Sequence, residues 1–417
     1  MSAQLPAAAP GAPETPPAPL VARQRRALPA LTDGLTWSDI PGTQAGVTDA
    51  RLTRRKRDDL VVLVAPGNAA ALVTRSTAVS APCKWTRARV PGHIHGVVIN
   101  AGNANAATGH QGVFDAERTA RAAADLLGCS PDEILLCSTG VIGVPMPMGE
   151  LLSGLVDAAG DLTADAQQVA GAILTTDTTT KLAGCAHHDV QVAGFAKGSG
   201  MIHPDMGTML GFIATDCDVA PQDLQALLQE VTDRTFNGVT VDGDTSTSDT
   251  VILQATGQGP VARPGTETWE ALRDALEAVC QSVSRAIAAD GEGAGRLLEV
   301  LVEGLESDAE ARRAARAVAS SSLVKCAVHG ADANWGRIVG ALGAHGFPQL
   351  DVLDLDMAGI PVLRAGQPLP LDEERAKDAL SAPEIFVHAR LPGSGVGEAW
   401  GCDLTHGYVD INADYRS

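Results

Sequence analysis

The chain has 417 residues, a formal charge of −19, 45% hydrophobic residues, 19% charged residues and 3% aromatics. That length holds one large domain or two ordinary ones, and the composition is that of a soluble globular protein with a core of Val, Leu, Ile and Ala. The acidity excludes a nucleic-acid partner, because phosphate binding needs clustered Lys and Arg and the one basic cluster, residues 51–57, reads as a short solvated turn.

Residues 1–35 read as a disordered Pro/Ala-rich tail with no basic start and no uninterrupted apolar stretch of a signal peptide. Residues 59–65 (DLVVLVA) and 70–74 predict two strands separated by a turn at Pro66–Gly67–Asn68, and 95–100 a third. The last runs into NAGNANAATG, too rich in small residues and asparagine to build a core but open to close backbone approach. A helix over 115–127 and a strand over 134–138 follow, ending in Thr139–Gly140. Helices are predicted over 148–159 and 164–173, then a hydroxyl-rich loop at 175–181. Strands at 190–196 and 209–216 flank a glycine-rich stretch, with Lys197 in what reads as a flexible, solvated turn.

Further on, the pattern predicts helices over 222–232, 268–289, 308–320, 337–343 and 372–380. Strands are predicted over 251–255, 297–304, 323–328, 351–356, 360–363, 384–389 and 399–412. The spacing is irregular and several strand pairs look like hairpins. That favours a mixed α/β sandwich over a doubly wound parallel sheet.

Several functions fall away. The eight cysteines form no CxxC pair and sit in apolar surroundings, so they read as reduced, buried thiols of a cytoplasmic protein. His93 with His95, and His187 with His188, lack further ligands at metal spacing, so no metal is expected. No 18-residue apolar run exists, so no membrane partner is expected. The glycine loops at 291–295 and 393–397 complete no nucleotide-binding spacing, and no cofactor is expected.

The informative stretch lies at the middle of the chain. Gly207–Thr208 precedes the apolar run 209–214, which places a hydroxyl nucleophile after a glycine at the mouth of a buried strand. If the Thr208 hydroxyl attacks the Gly207 carbonyl, the chain cuts itself and Thr208 gains a free α-amine. Such an amine, with an ordinary pKa of about 8, is a suitable base for its own hydroxyl. Thr139 and Gly140 would offer a hydroxyl and an N–H to an oxyanion. Glu292, among glycines that cannot shield it, reads as a surface acid or a ligand for an ammonium group. Asn412 and Ser417 lie near the terminus, where apolar alternation over 408–411 suggests docking in a sheet.

Eight segments, in order, carry a resemblance: residues 100–109 (NAGNANAATG), 137–148 (CSTGVIGVPMPM), 175–178 (TTDT), 197–210 (KGSGMIHPDMGTML), 235–250 (TFNGVTVDGDTSTSDT), 290–294 (DGEGA), 324–338 (VKCAVHGADANWGRI) and 408–417 (YVDINADYRS). The chain resembles the ornithine acetyltransferase family (ArgJ-type, glutamate N-acetyltransferase) from about residue 45 to its end. The resemblance implies an αββα-type sandwich of the DmpA/ornithine acetyltransferase kind, self-cleaved into two interwoven chains, residues 36–207 and 208–417. Two copies of each would form a heterotetramer. It also implies ping-pong transfer of acetyl from N²-acetylornithine to L-glutamate in arginine biosynthesis, with acetyl-CoA as an additional donor in some members.

Carried over by position, Thr208 is the nucleophile and Thr139 and Gly140 form the oxyanion hole. Thr175 (with Thr176 beside it), Lys197, Thr208, Glu292, Asn412 and Ser417 contact substrate. Gly207 stands where the family usually has Ala, His203 and Asp205 where Ala and Asn are usual, and Gly295–Arg296 where Thr–Lys is common. Two rival readings share these residues: an N-terminal-nucleophile amidohydrolase or aminopeptidase of similar fold, and a degenerate relative that neither cuts nor turns over.

Overall fold

The structure, a computed structural model, describes residues 27–53, 56–203 and 209–414. It is mixed α/β, as expected. One sheet of eight strands holds β1 (Gln44–Thr48), β2 (Leu60–Val73), β3 (Gly92–Asn100), β4 (Ile134–Ser138), β5 (Lys181–His187), β6 (Val190–Lys197), β7 (Leu210–Thr215) and β8 (Thr250–Ala255). Its order is β4-β3-β2-β8-β7-β6-β5, with β1 on the flank of β2. β7 runs parallel to β8 and antiparallel to β6, so β7 and β8 lie between strands that precede them in sequence. The second sheet has six strands in the order β12-β11-β10-β13-β9-β14: β9 (Leu297–Leu305), β10 (Asp354–Met357), β11 (Ile360–Arg364), β12 (Gln367–Pro368), β13 (Glu384–Arg390) and β14 (Gly395–Cys402).

Helices cover these sheets. α1 (Ala81–Arg87), α2 (Gly109–Leu127) and α3 (Met148–Gly160) pack over the β2–β4 end of the first sheet, burying an alanine face of α2 against Val62, Val98 and Leu136. α4 (Ala166–Ala172) and Trp37 close the opposite face, where Trp37 meets Phe195 edge-on at 6.2 Å and Phe195 meets Phe212 at 5.2 Å. α5 (Pro221–Arg234) and the long α6 (Glu267–Ala289) cover the β5–β8 end. α6 also touches β9 and β14, on the side of Leu297, Trp400 and Cys402. α7 (Asp308–Ser320), α8 (Ser322–His329) and α9 (Trp335–Ala344) pack on the other face of the second sheet, against Leu298, Val300 and Ala399. α10 (Glu373–Ala379) and α11 (His406–Ala413) complete the chain.

Five sequence expectations need correction. β2 is one strand, not two: the residues expected to turn form an irregularity between Val64 and Gly67, and a Cβ on Gly67 would lie 2.1 Å from the Ala255 carbonyl oxygen. The glycine serves strand contact rather than chain reversal. Residues 323–328 are helical in α8, because the Ser321 hydroxyl caps the Val324 N–H and Val324, Ala327 and Val328 fall on one buried face. The final strand stops at Cys402, and Thr405 caps α11, which buries none of its residues. The expected tail reaches too far at its end. The Thr32 N–H bonds the Gly184 carbonyl at 2.8 Å and the Thr32 hydroxyl accepts from the Ala186 N–H, so this segment runs along β5. Cys326 is exposed, unlike the buried thiol expected there.

Candidate active site

Two loops meet beyond the ends of β3 and β4. Asn100 closes β3; its amide donates to the Asn103 carbonyl at 2.8 Å and its side-chain oxygen accepts from the Ser138 hydroxyl at 2.6 Å. Asn103 in turn bonds the Val144 carbonyl and the Asn105 N–H. The asparagines of NAGNAN therefore wire one loop to the other, a structural use that their abundance in sequence does not reveal. Gly140 takes φ +130°, and a Cβ there would sit 2.3 Å from the Gly102 carbonyl carbon. Only glycine fits this crossing.

These loops form one wall of a cavity of about 300 Å³. Thr139, Gly140, Val141 and Ile142 lie on that wall, and Thr175 and Thr176 lie beside it. Lys197, Glu292 and Asn412 complete a ring of polar groups, and Ser246, Thr247 and Ser248 add hydroxyls. Six residues named from the sequence, Thr139, Gly140, Thr175, Lys197, Glu292 and Asn412, thus come together. Gly207, Thr208 and Ser417 lie outside the described residues.

Lys197 is not in a flexible turn. It is the last residue of β6, paired with Leu210 of β7, and only 7% exposed. Its Nζ donates to the Thr175 hydroxyl at 2.8 Å and to the Thr139 hydroxyl at 3.0 Å. Burial lowers its pKa, and Lys181 acts in the same direction, while Asp177, Asp249 and Glu292 oppose the fall. Glu292 is no surface acid: it is 6% exposed, and the Asn412 amide donates to its Oε2 at 2.7 Å. The loop holds it because the Glu292 N–H bonds the Ser199 carbonyl and Gly200 leaves no Cβ in the way. Asn412 reaches it from α11, which docks closely on Gly293, where a Cβ would lie 2.4 Å from the Tyr408 nitrogen.

Sequence reasoning missed the groups behind the ring. Asp177 accepts from the Lys181 ammonium at 2.8 Å, the Gly198 N–H at 2.6 Å and the Thr175 N–H at 3.2 Å. Burial would raise its pKa, but Lys197 and Lys181 outweigh it and hold the carboxyl at about 2. Asp249, also buried, is pushed the other way by burial, well above the usual carboxylate range, and its Oδ2 has no hydrogen-bond partner among the described residues. The signal for Asp177 was available: Asp177 and Lys181 sit four apart within TTDTTTK, in a stretch read only as a hydroxyl-rich loop.

Among the described residues no cluster of three metal-ligating side chains occurs, and no helix is long and apolar enough to cross a membrane.

A mixed α/β frame that gathers a lysine, a carboxylate, an asparagine and threonine hydroxyls around one cavity defines a small-molecule enzyme site. The ArgJ family profile matches residues 42–417, and the chain belongs to the ArgJ family. It is 44% identical over 391 residues to the arginine biosynthesis bifunctional protein ArgJ of Symbiobacterium thermophilum, covering 91% of this chain and 95% of that one. To the protein of the same name from Thermus thermophilus it is 46% identical over 383 residues, covering 90% and 98%. A crystal structure of ArgJ from Bacillus halodurans aligns at 42% identity over 49% of this chain and 99% of that chain, with a TM-score of 0.48.

Proposed function

We propose that the protein is a glutamate N-acetyltransferase of arginine biosynthesis that acts through Thr208 after cutting its own chain before that residue. The observation that carries this reading is the Lys197 ammonium bonded to both the Thr139 and Thr175 hydroxyls, in a cavity that Glu292 and Asn412 close from the second half of the chain. Membership of the ArgJ family and the role of the relatives in arginine biosynthesis support it.

In processing, the Thr208 Oγ attacks the Gly207 carbonyl and its proton passes to the departing Thr208 nitrogen. The resulting ester takes up one water, leaving a Gly207 carboxylate and a free Thr208 α-amine. In the first half-reaction that amine receives the Oγ proton as Oγ attacks the acetyl carbonyl of N²-acetylornithine. The proton then goes to the ornithine nitrogen, which leaves. In the second half-reaction the glutamate amine attacks acetyl-Thr208 and restores the hydroxyl.

The Lys197–Thr139 bond has a direct chemical consequence. A hydroxyl that accepts from an ammonium turns its own hydrogen elsewhere and donates it more strongly. Thr139 is thereby suited to donate to the developing oxyanion, beside the Gly140 N–H. Lys197 directs two of its three donors to Thr139 and Thr175, which makes it an activator of the oxyanion hole as well as an anchor for substrate carboxylate. Glu292, with Asn412, faces the ammonium of the ornithine side chain. Thr175, Lys197, Thr208, Glu292, Asn412 and Ser417 form the substrate shell. Two copies of each fragment assemble in the cytoplasm, and no cofactor takes part.

The test is a denaturing gel with a transfer assay. Wild type should show two bands near half of 42.8 kDa, and Thr208→Ala a single full-length band. Beyond the one equivalent that acetylates Thr208, acetylornithine should lose its acetyl group only when glutamate is present. Fast deacetylation without glutamate would instead identify a hydrolase, and an uncut wild type without activity would identify a degenerate relative.

A further inference from the structure

Behind the cavity wall lies a buried array of four charges. Asp177 and Lys181 are wholly buried, and Asp290 and Lys197 nearly so. The Lys181 Nζ lies 2.8 Å from Asp177 Oδ1 and 2.6 Å from Asp290 Oδ2. Asp177 Oδ2 lies 4.0 Å from the Lys197 Nζ. Neither Asp177 nor Lys181 lines the cavity. Each carboxylate also organises a different wall. Asp177 takes the Thr175 and Gly198 N–H groups, which fixes the loop and the strand end that present Thr175 and Lys197. Asp290 takes the Thr178 N–H and hydroxyl, while its own carbonyl accepts from the Ser199 hydroxyl, two residues before Glu292.

Building on the proposed function, we propose that Lys181 and Asp177 are positioning residues for acetyl transfer, which hold the Lys197 ammonium on Thr139 and Thr175 and, through Asp290, keep it in register with Glu292 across the cavity. A buried lysine with two carboxylate partners costs too much desolvation to be a surface ornament. Removing either partner leaves an uncompensated buried charge. The two members act on Lys197 with opposite sign: Asp177 favours its charged form and Lys181 disfavours it. Among the described residues, the other groups facing Lys197 are the Asp249 and Glu292 carboxylates and the Thr139 and Thr175 hydroxyls.

The experiment is the pH dependence of kcat/KM for glutamate-dependent transfer from acetylornithine, in the self-processed enzyme and in Lys181→Met, Asp177→Asn and Lys181→Arg. Activity that needs the Lys197 ammonium falls as that group deprotonates. The alkaline limb should therefore move about one pH unit up in Lys181→Met and about one unit down in Asp177→Asn, and stay near the wild-type position in Lys181→Arg. A purely structural role would lower activity without opposed shifts. If Lys181→Met does not fold, the downward shift in Asp177→Asn and the unmoved limb in Lys181→Arg decide the matter. Limbs that stay put, or that move the same way, overturn the proposal while the transferase reading stands. A wild type with no transfer activity overturns the function, and this inference with it.

Discussion

Gly200→Ala isolates Glu292 without touching it. A Cβ at residue 200 would lie 2.2 to 2.4 Å from the three atoms of the Glu292 carboxylate. Ordinary contact needs about 3.4 Å, so the carboxylate must retreat by about 1 Å. It sits at the end of a flexible side chain, so the retreat costs little fold stability. It does cost the Asn412 hydrogen bond at 2.7 Å. A misplacement of about 1 Å in a positioned group can cost about 100-fold, or about 2.7 kcal/mol. Loss of a hydrogen bond to a charged group, about 1.5–3 kcal/mol, leads to the same range. The expected result is a fall of about 100-fold in kcat/KM for acetylornithine, whose side-chain ammonium Glu292 is proposed to face. The change for glutamate should stay below about tenfold, with a thermal midpoint within about 3 °C of wild type. Each half-reaction is followed by ornithine release and by N-acetylglutamate formation. Equal kinetics for both substrates, with an unshifted melting curve, would refute both the placement of Glu292 and its role.

Other expectations follow from the same geometry. Gly140→Ala cannot keep φ +130° with a Cβ 2.3 Å from Gly102, so the N–H must move; kcat should fall by about 10²–10³, and wild-type kcat would remove Gly140 from the oxyanion hole. Asp177 is depressed to about 2 when folded against about 3.9 unfolded, so its stabilisation is complete above about pH 4 and is lost as pH falls toward 2. The gap in urea midpoint between wild type and Asp177→Asn should therefore narrow between pH 5 and pH 3. In a native thiol-labelling assay Cys326 should react first, because it is exposed, while burial pushes Cys83 up to about 11 and Cys217 up to about 12. Fast labelling of Cys217 would contradict its place in the core.

Much of the fold was legible where periodicity was long. The 23 residues of α6 bury one face over six turns, and no strand pattern competes with that. Residues 323–328 are too short to choose, and a serine cap two residues earlier decided between helix and strand. The loss at the C-terminus has another cause. α11 buries nothing, so its alternating residues reflect no core face at all. In the candidate site, six residues that meet at the cavity were named from the sequence, but their environments were not readable there. Lys197 and Glu292 both stand among glycines, which in sequence suggests exposure. In three dimensions Gly200 and Gly293 let the chain close around Glu292, and Lys197 is buried at the end of β6. Asp177 was hidden by its threonine neighbours, since nothing local shows that Lys181, Lys197 and Gly198 converge on it.

The strand order of the first sheet governs when the proposed cut can occur. β7 and β8 follow the cut in sequence but are wedged between β2 and β6, which precede it. Made separately, the upstream fragment would expose two long unpaired edges and the downstream fragment a loose strand pair, each a template for aggregation. Scission therefore has to be the last event of maturation, after the dovetail has closed. Once it has closed, the ladders on both sides of the insert would hold the fragments of the proposed cut together. A gene split at residue 207 and expressed as two pieces should give insoluble product, whereas the proposed cut within one folded chain should leave the two pieces soluble and together.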